Sequence, residues 1–310
     1  MAQNKLSFKD FAEELAGKLQ EHYEYASVNL HEVVKNNGLK LTGLEIREGS
    51  TNITPIIYLN SFYENYLRGE ADVDGIFNAI RIMYEQSRHE EAVNVDWVEN
   101  WEEVKNKVFY QLINAERNAE RLKDIPHVNF LDLAYIFKIV VAKTERGTAT
   151  VTVNNKMAES WGKGAAEIMQ EANKNQTKLT GAIKVSGLDN VLSEIAEEMQ
   201  DENIQELISH VDTPIQMLVA TNSSNQYGAY VGFKKDVLKG LARKTKTDIA
   251  ILPSSIHECL LTPLTKEIDK DFLKDMPRYV NVTTLEPQDV LSNNVYIYNA
   301  VTDEIELLKA

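Results

Sequence analysis

Side chains alternate on both flanks of Asn36-Asn37-Gly38, and that commits the chain to an antiparallel pair of strands. On one side, Val28, Leu30, Glu32 and Val34 alternate with Asn29, His31, Val33 and Lys35. On the other, Leu39, Leu41, Gly43 and Glu45 alternate with Lys40, Thr42, Leu44 and Ile46. Asn and Gly tolerate the positive φ that a tight hairpin turn needs, so the tip is predicted at Asn37-Gly38. A third strand is predicted over 53–59. Helices flank this sheet. Phe8, Phe11, Leu15 and Leu19 recur at helical steps over 8–25, with Ser7 and Asp10 as the cap. A second helical stripe, Phe62, Tyr63, Tyr66 and Leu67, ends near Gly69. A third begins at Asp72 and carries Val73, Ile76, Phe77, Ile80 and Met83.

The pattern then recurs. Residues 98–124 carry helical or mixed signals, closed by Pro126. Strands are predicted over 133–142 and 148–153 around Arg146-Gly147, with helices from Asn154 or Asn155 and over 165–173. Residues 174–187 are polar with two glycines and read as an internal linker. An acidic amphipathic segment follows over 188–209. The last third gives strands at 215–220, 228–233, 248–252 and 256–261, and a helix over 234–244. A further helix from Asp269 is shortened or kinked by Pro277, and 295–298 with 305–308 form a closing hairpin. The fold class is therefore α+β: repeated strand-strand-helix units, largely antiparallel sheets, and helices packed on one face. Hairpin-like connections argue against a doubly wound parallel sheet. Two α+β domains are predicted, 1–125 and 126–310.

Composition removes several functions. The 310 residues include 33 Lys and Arg against 47 Asp and Glu, a formal charge of −14 that repels polyphosphate backbones at long range. The best basic stripe, Lys235, Lys239 and Arg243, has the spacing of any solvated helix face, so nucleic acid is disfavoured as a partner. No stretch of about 18 apolar residues offers a membrane span. Residues 1–10 lack the apolar core of an export signal, and one cysteine fits a reducing cytoplasm. Glycine is only 14 of 310, and no phosphate-cradling loop occurs, so no cofactor is predicted. No metal site is predicted either. Histidines are scattered, and the pairs His31-Glu32 and His257-Glu258 would point to opposite faces of a strand.

The polar run Pro253-Ser254-Ser255-Ile256-His257-Glu258 is the main candidate for chemistry. In an extended chain Ser255 and His257 share a face, with side chains roughly 6–7 Å apart. A serine nucleophile needs a histidine in hydrogen-bond reach and an acid to orient it. The competing reading is that the serines satisfy backbone groups at a turn. Cys259, in an apolar run, reads as structural. Tyr58, Phe62, Tyr63 and Tyr66 read first as core packing, and the acidic set from Glu194 to Glu206 as a solvated helix face.

Several stretches together carry a family resemblance. They are His31 through Leu44, Asn52 through Leu59 with Phe62-Tyr63 and Tyr66, Leu112-Ile113-Asn114, Asn155-Lys156-Met157 with Trp161-Gly162, Leu252 through Glu258, and Leu291 through Tyr298. This set resembles the bacterial family named only as domain of unknown function 5688, in order and across essentially the whole chain. The resemblance implies a cytoplasmic bacterial protein, often carried on mobile elements, and it implies no catalytic residue. The sequence reading is thus a soluble binding or interaction module whose partner is a protein or a small ligand. Its candidate surface is Asn37, Tyr58, Tyr63, Ser254, Ser255 and His257. The alternatives are a hydrolase using Ser255 with His257, and a nucleic-acid-associated protein of a mobile element acting through the Lys235–Arg243 face.

Overall fold

The computed structural model describes residues 5–49, 54–87, 96–144, 147–187 and 217–308. The chain divides into two compact units, Met1–Val95 and Asp96–Ala310. The division expected near 125/126 falls inside the second.

In the first unit, helix α1 (Phe8–His22) opens at Ser7, whose side chain accepts from the Asp10 amide at 3.2 Å. Strands β1 (Ala26–Val34) and β2 (Lys40–Glu48) form the expected hairpin, from Ala26 opposite Glu48 to Val34 opposite Lys40. Its tip is left-handed at Asn37 (φ 60°) and Gly38 (φ 71°), the conformation those residue types tolerate. Strand β3 (Ile56–Tyr58) adds antiparallel to β2. A Cβ on Gly43 would stand 2.4 Å from Ile56 Cγ2, so the β2–β3 approach requires glycine there. Helices α2 (Asn60–Arg68) and α3 (Val73–Ser87) follow, α2 ending on Gly69 at φ 77°. Phe11, Leu15, Leu44, Ile46, Ile76 and Ile80 bury the α1 and α3 faces against the sheet.

The second unit holds two antiparallel sheets. After α4 (Trp101–Val104) comes β4 (Val108–Asn114), then α5 (Ala119–Leu122), β5 (His127–Phe130), β6 (Leu133–Thr144) and β7 (Gly147–Thr152). The long β6 pairs β4 on one side and β5 and β7 on the other. Helices α6 (Asn155–Trp161) and α7 (Ala165–Thr180) lead to β8 (Ile183–Gly187) and β9 (Leu218–Asn222). A 3-10 segment, Gly228–Phe233, precedes α8 (Lys235–Thr245). Then come β10 (Ile249–Pro253), β11 (Cys259–Pro263), α9 (Lys270–Thr283), β12 (Tyr296–Asn299) and β13 (Glu304–Leu307). These strands form a six-stranded sheet in the order β13-β12-β10-β11-β9-β8. One apolar cluster joins both sheets through Tyr110, Phe137, Ile168, Tyr230, Ile251 and Tyr296. Leu273 of α9 packs on the opposite face of the six-stranded sheet, against Ala250, Leu252 and Ile297. That sheet therefore carries helices on both faces, which is why 249–252 is an unbroken apolar run.

The class is α+β with antiparallel sheets, as expected, but the three sheets differ in strand number and order, so the recurrence is one of element types. Four local expectations are corrected. Residues 108–114, within the stretch read as helical or mixed, are a strand buried along its whole length; without a solvated face it shows no alternation. Residues 174–187 are not a linker: they complete α7 and form β8. Their polar character misleads because Asn175 and Gln176 are buried against the free edge of β4. Gln176 accepts from the Tyr110 amide at 2.9 Å and donates to its carbonyl at 3.0 Å, as a neighbouring strand would. Asn175 donates to the Lys105 and Val108 carbonyls. Residues 228–233 are a 3-10 turn, packed so closely that a Cβ on Gly232 would stand 2.5 Å from Cys259 Cβ. Helix α9 continues past Pro277 to Thr283. The acidic segment 188–209 and residues 215–216 lie outside the described residues.

Candidate functional site

Strands β10 and β11 pair up to Pro253 opposite Cys259, leaving residues 254–258 as the connecting turn. The turn is fixed from inside. The Ser255 amide donates to the Glu258 carbonyl at 3.1 Å, and Ser255 Oγ accepts from the His257 amide at 3.0 Å. It is also fixed from outside: the Ile256 amide donates to the Asp289 carbonyl at 2.8 Å, and Thr221 Oγ1 donates to the His257 carbonyl at 2.8 Å. A Cβ on Gly228 would lie 2.6 Å from that same carbonyl, so the chain passes there only as glycine.

This scaffold sets the ring of His257. Its Nδ1 accepts from the Tyr227 amide at 3.2 Å, so the proton of the neutral ring is assigned to Nε2. Nε2 faces Asp289 Oδ1 at 3.5 Å. The imidazole stacks on Tyr227 with centroids 5.7 Å apart and planes at 24°. Both ring nitrogens are thereby engaged, and Ser255 Oγ is turned to a backbone amide. A nucleophile and base pair of the kind weighed from the sequence is not assembled. Ser254 Oγ donates to Glu258 Oε1 at 3.4 Å. Cys259 is buried, its thiol donating to the Ala229 carbonyl, and burial pushes its pKa far up.

Residues remote in sequence complete the surroundings of His257. Tyr227 has a left-handed backbone (φ 54°) and packs on Phe109 at 6.2 Å, with Lys138 Nζ 5.0 Å from its ring centroid. Burial raises the Tyr227 pKa, Asp289 raises it further, and Arg121 opposes both. Burial in turn lowers the pKa of Arg121. Phe109, Lys138 and Thr152 lie in one cross-strand row of β4, β6 and β7. Arg121 reaches that row from α5, donating to Thr152 Oγ1 at 3.4 Å. Phe109, Arg121, Lys138, Tyr227 and Asp289 belong to no motif that would mark them in the sequence.

The other candidates lie in the first unit. Asn37 shapes the hairpin tip, and Tyr58 lies under Lys35 Nζ at 4.2 Å from its centroid. Tyr63 packs on Phe8 and Phe11 and donates its hydroxyl to the Leu6 carbonyl at 2.9 Å. Of the two His-Glu pairs, His31-Glu32 lies on β1 and diverges, His31 meeting Glu45 at 3.1 Å and Glu32 meeting Lys40 at 3.0 Å, whereas His257-Glu258 lies in the β10–β11 turn and not on a strand, with His257 facing Asp289 and Glu258 facing Ser254. Among the described residues no group of three or more His, Cys, Asp or Glu side chains could hold a metal ion. No described helix is long and apolar enough to cross a membrane.

No curated protein matches the chain. No solved structure matches it either. A family model described as "Family of unknown function (DUF5688)" matches residues 8–300 of the 310, and with that coverage the chain belongs to the DUF5688 family.

Proposed function

We propose that this chain works by binding a small ligand without transforming it, at the surface around His257 in the second unit. The observation that carries the reading is the engagement of the His257 ring: Nδ1 by the Tyr227 amide at 3.2 Å and Nε2 beside Asp289 at 3.5 Å. A ring so held has no lone pair directed at a serine, while the backbone around it is fixed as a binding surface requires. Ser254, Ser255 and His257 form the rim of this surface; Tyr63 serves packing in its own unit. A polyanion fits poorly as the ligand. Lys239 Nζ pairs with Asp303 at 2.8 Å and Lys235 Nζ lies 3.7 Å from Glu304, so the basic face of α8 is countered by carboxylates. The proposal places the protein in a bacterial cytoplasm, where a single thiol needs no partner.

A fluorophosphonate probe followed by intact-mass measurement tests the reading. The expected result is no adduct on the wild-type chain. A stoichiometric adduct abolished by Ser255→Ala would establish a reactive serine and end the binding-only account.

A further inference from the structure

We infer that His257 is a pH switch built into the proposed binding surface: when its ring takes a second proton, the Tyr227 backbone loses its hydrogen-bond acceptor and the loop 222–228 is released. This goes beyond the binding reading above, and rests on it only for the consequence, loss of that surface in acid. The neutral ring accepts from the Tyr227 amide on Nδ1 at 3.2 Å, while Nε2 faces Asp289 Oδ1 at 3.5 Å. An imidazolium carries two N–H donors and no acceptor. Charging therefore sets two donors against each other at the Tyr227 amide, and turning the ring about its Cβ–Cγ bond offers that amide only a C–H. The contact with Asp289 becomes an ion pair as the Tyr227 bond is lost. One proton thus moves the hold of the ring from the loop to Asp289. The His257 side chain is 33 % exposed, so solvent protons reach it.

The loop depends on that bond. Upstream, Asn222 pins it: its Oδ1 accepts from the Gln226 amide at 3.3 Å, and its Nδ2 donates to the Gln226 carbonyl at 2.8 Å. Downstream, the Ala229 amide makes a long contact to the Ile256 carbonyl at 3.4 Å. Between these anchors stands Tyr227 at φ 54°, a left-handed conformation that a non-glycine residue keeps only where its surroundings hold it. Asn225 is left-handed as well, at φ 51°. Around the ring, Asp289 faces Nε2, and Glu258 of the same turn is directed to Ser254. Lys138 and Arg121 act on the Tyr227 ring. Burial and Asp289 raise the pKa of the Tyr227 phenol, which therefore stays neutral in acid. Of these residue types, histidine is the one that ordinarily changes charge between about pH 5 and 8.

The experiment takes the full 15N-labelled chain through pH steps from about 8 to about 5 at constant ionic strength. It reads the His257 ring nitrogens and the Tyr227 backbone amide. The expected result is one shared midpoint: as the ring charges, the Tyr227 amide proton moves upfield and exchanges faster with solvent. His257→Asn puts a side-chain oxygen near the place of Nδ1 without a titrating group, and the Tyr227 amide is expected to stay put at every pH. Asp289→Asn removes the partner of the charged ring and is expected to move the midpoint to lower pH. The proposal is overturned by a Tyr227 amide that stays put while the ring charges, or by a ring that stays neutral until the chain unfolds. It is equally overturned by a Tyr227 shift that survives His257→Asn, or by an Asp289→Asn midpoint equal to that of wild type. Should His257→Asn not fold, the coincidence of the two wild-type midpoints decides. None of these outcomes involves the Ser255 hydroxyl as a nucleophile, so the fluorophosphonate test of the binding reading succeeds or fails separately.

Discussion

Ser255 illustrates how a side chain with reactive potential is given a structural task. Its hydroxyl accepts the His257 amide at 3.0 Å inside a turn where Ser255 itself is buried. Ser255→Ala would leave that amide without its acceptor, and a destabilisation of about 1–3 kcal/mol is expected in denaturant unfolding. An unchanged stability would mean that the turn does not depend on the hydroxyl. Glu45 makes a different kind of residue-scale prediction. Burial raises its pKa, but hydrogen bonds from Arg47 and His31 outweigh burial and hold it below the ordinary value of 4.5. A carboxylate with a lowered folded-state pKa contributes stability that is complete above the unfolded value and is lost as pH falls through the folded one. Glu45→Gln removes that contribution. The stability gap between wild type and variant should therefore be larger at about pH 7 than at about pH 3. A gap independent of pH would remove the ionic role of Glu45.

At the scale of elements, the edge of β4 shows what sequence conveys and what it hides. Hairpin β1–β2 was legible because its turn residues and its alternation are local signals, and α1 because Ser7 caps a periodic face. Strand β4 was not legible, since a strand buried on both faces looks like any apolar run. The end of α7 was hidden for the opposite reason. Asn175 and Gln176 are polar and buried at once, because they replace hydrogen bonds that a further strand would have made, and Thr180 is buried with its hydroxyl donating to the Gln176 carbonyl of its own helix. The site divides in the same way. Ser255 and His257 are neighbours in sequence, whereas Arg121, Tyr227 and Asp289 meet only through long-range packing. Gln176→Leu should remove both partners of Tyr110, costing about 2 kcal/mol or more and speeding exchange of the Tyr110 amide relative to wild type. Unchanged protection of that amide would show that the edge is closed by something else.

At the scale of the molecule, charge separates the readings of function. A chain of net charge −14, whose Lys235 and Lys239 on α8 lie against Asp303 and Glu304, should not retard duplex DNA or single-stranded RNA in a gel at about 0.15 M salt. Salt-dependent retardation lost on Lys239→Ala would restore a nucleic-acid role. Binding without catalysis rests more narrowly on the proton of one ring. Long-range 1H–15N correlation of the histidine side chains reads it directly. The expected spectrum of the neutral ring has its proton on Nε2, with Nδ1 accepting the Tyr227 amide. A proton resident on Nδ1 would break that hydrogen bond, free Nε2 to act as a base, and contradict the account.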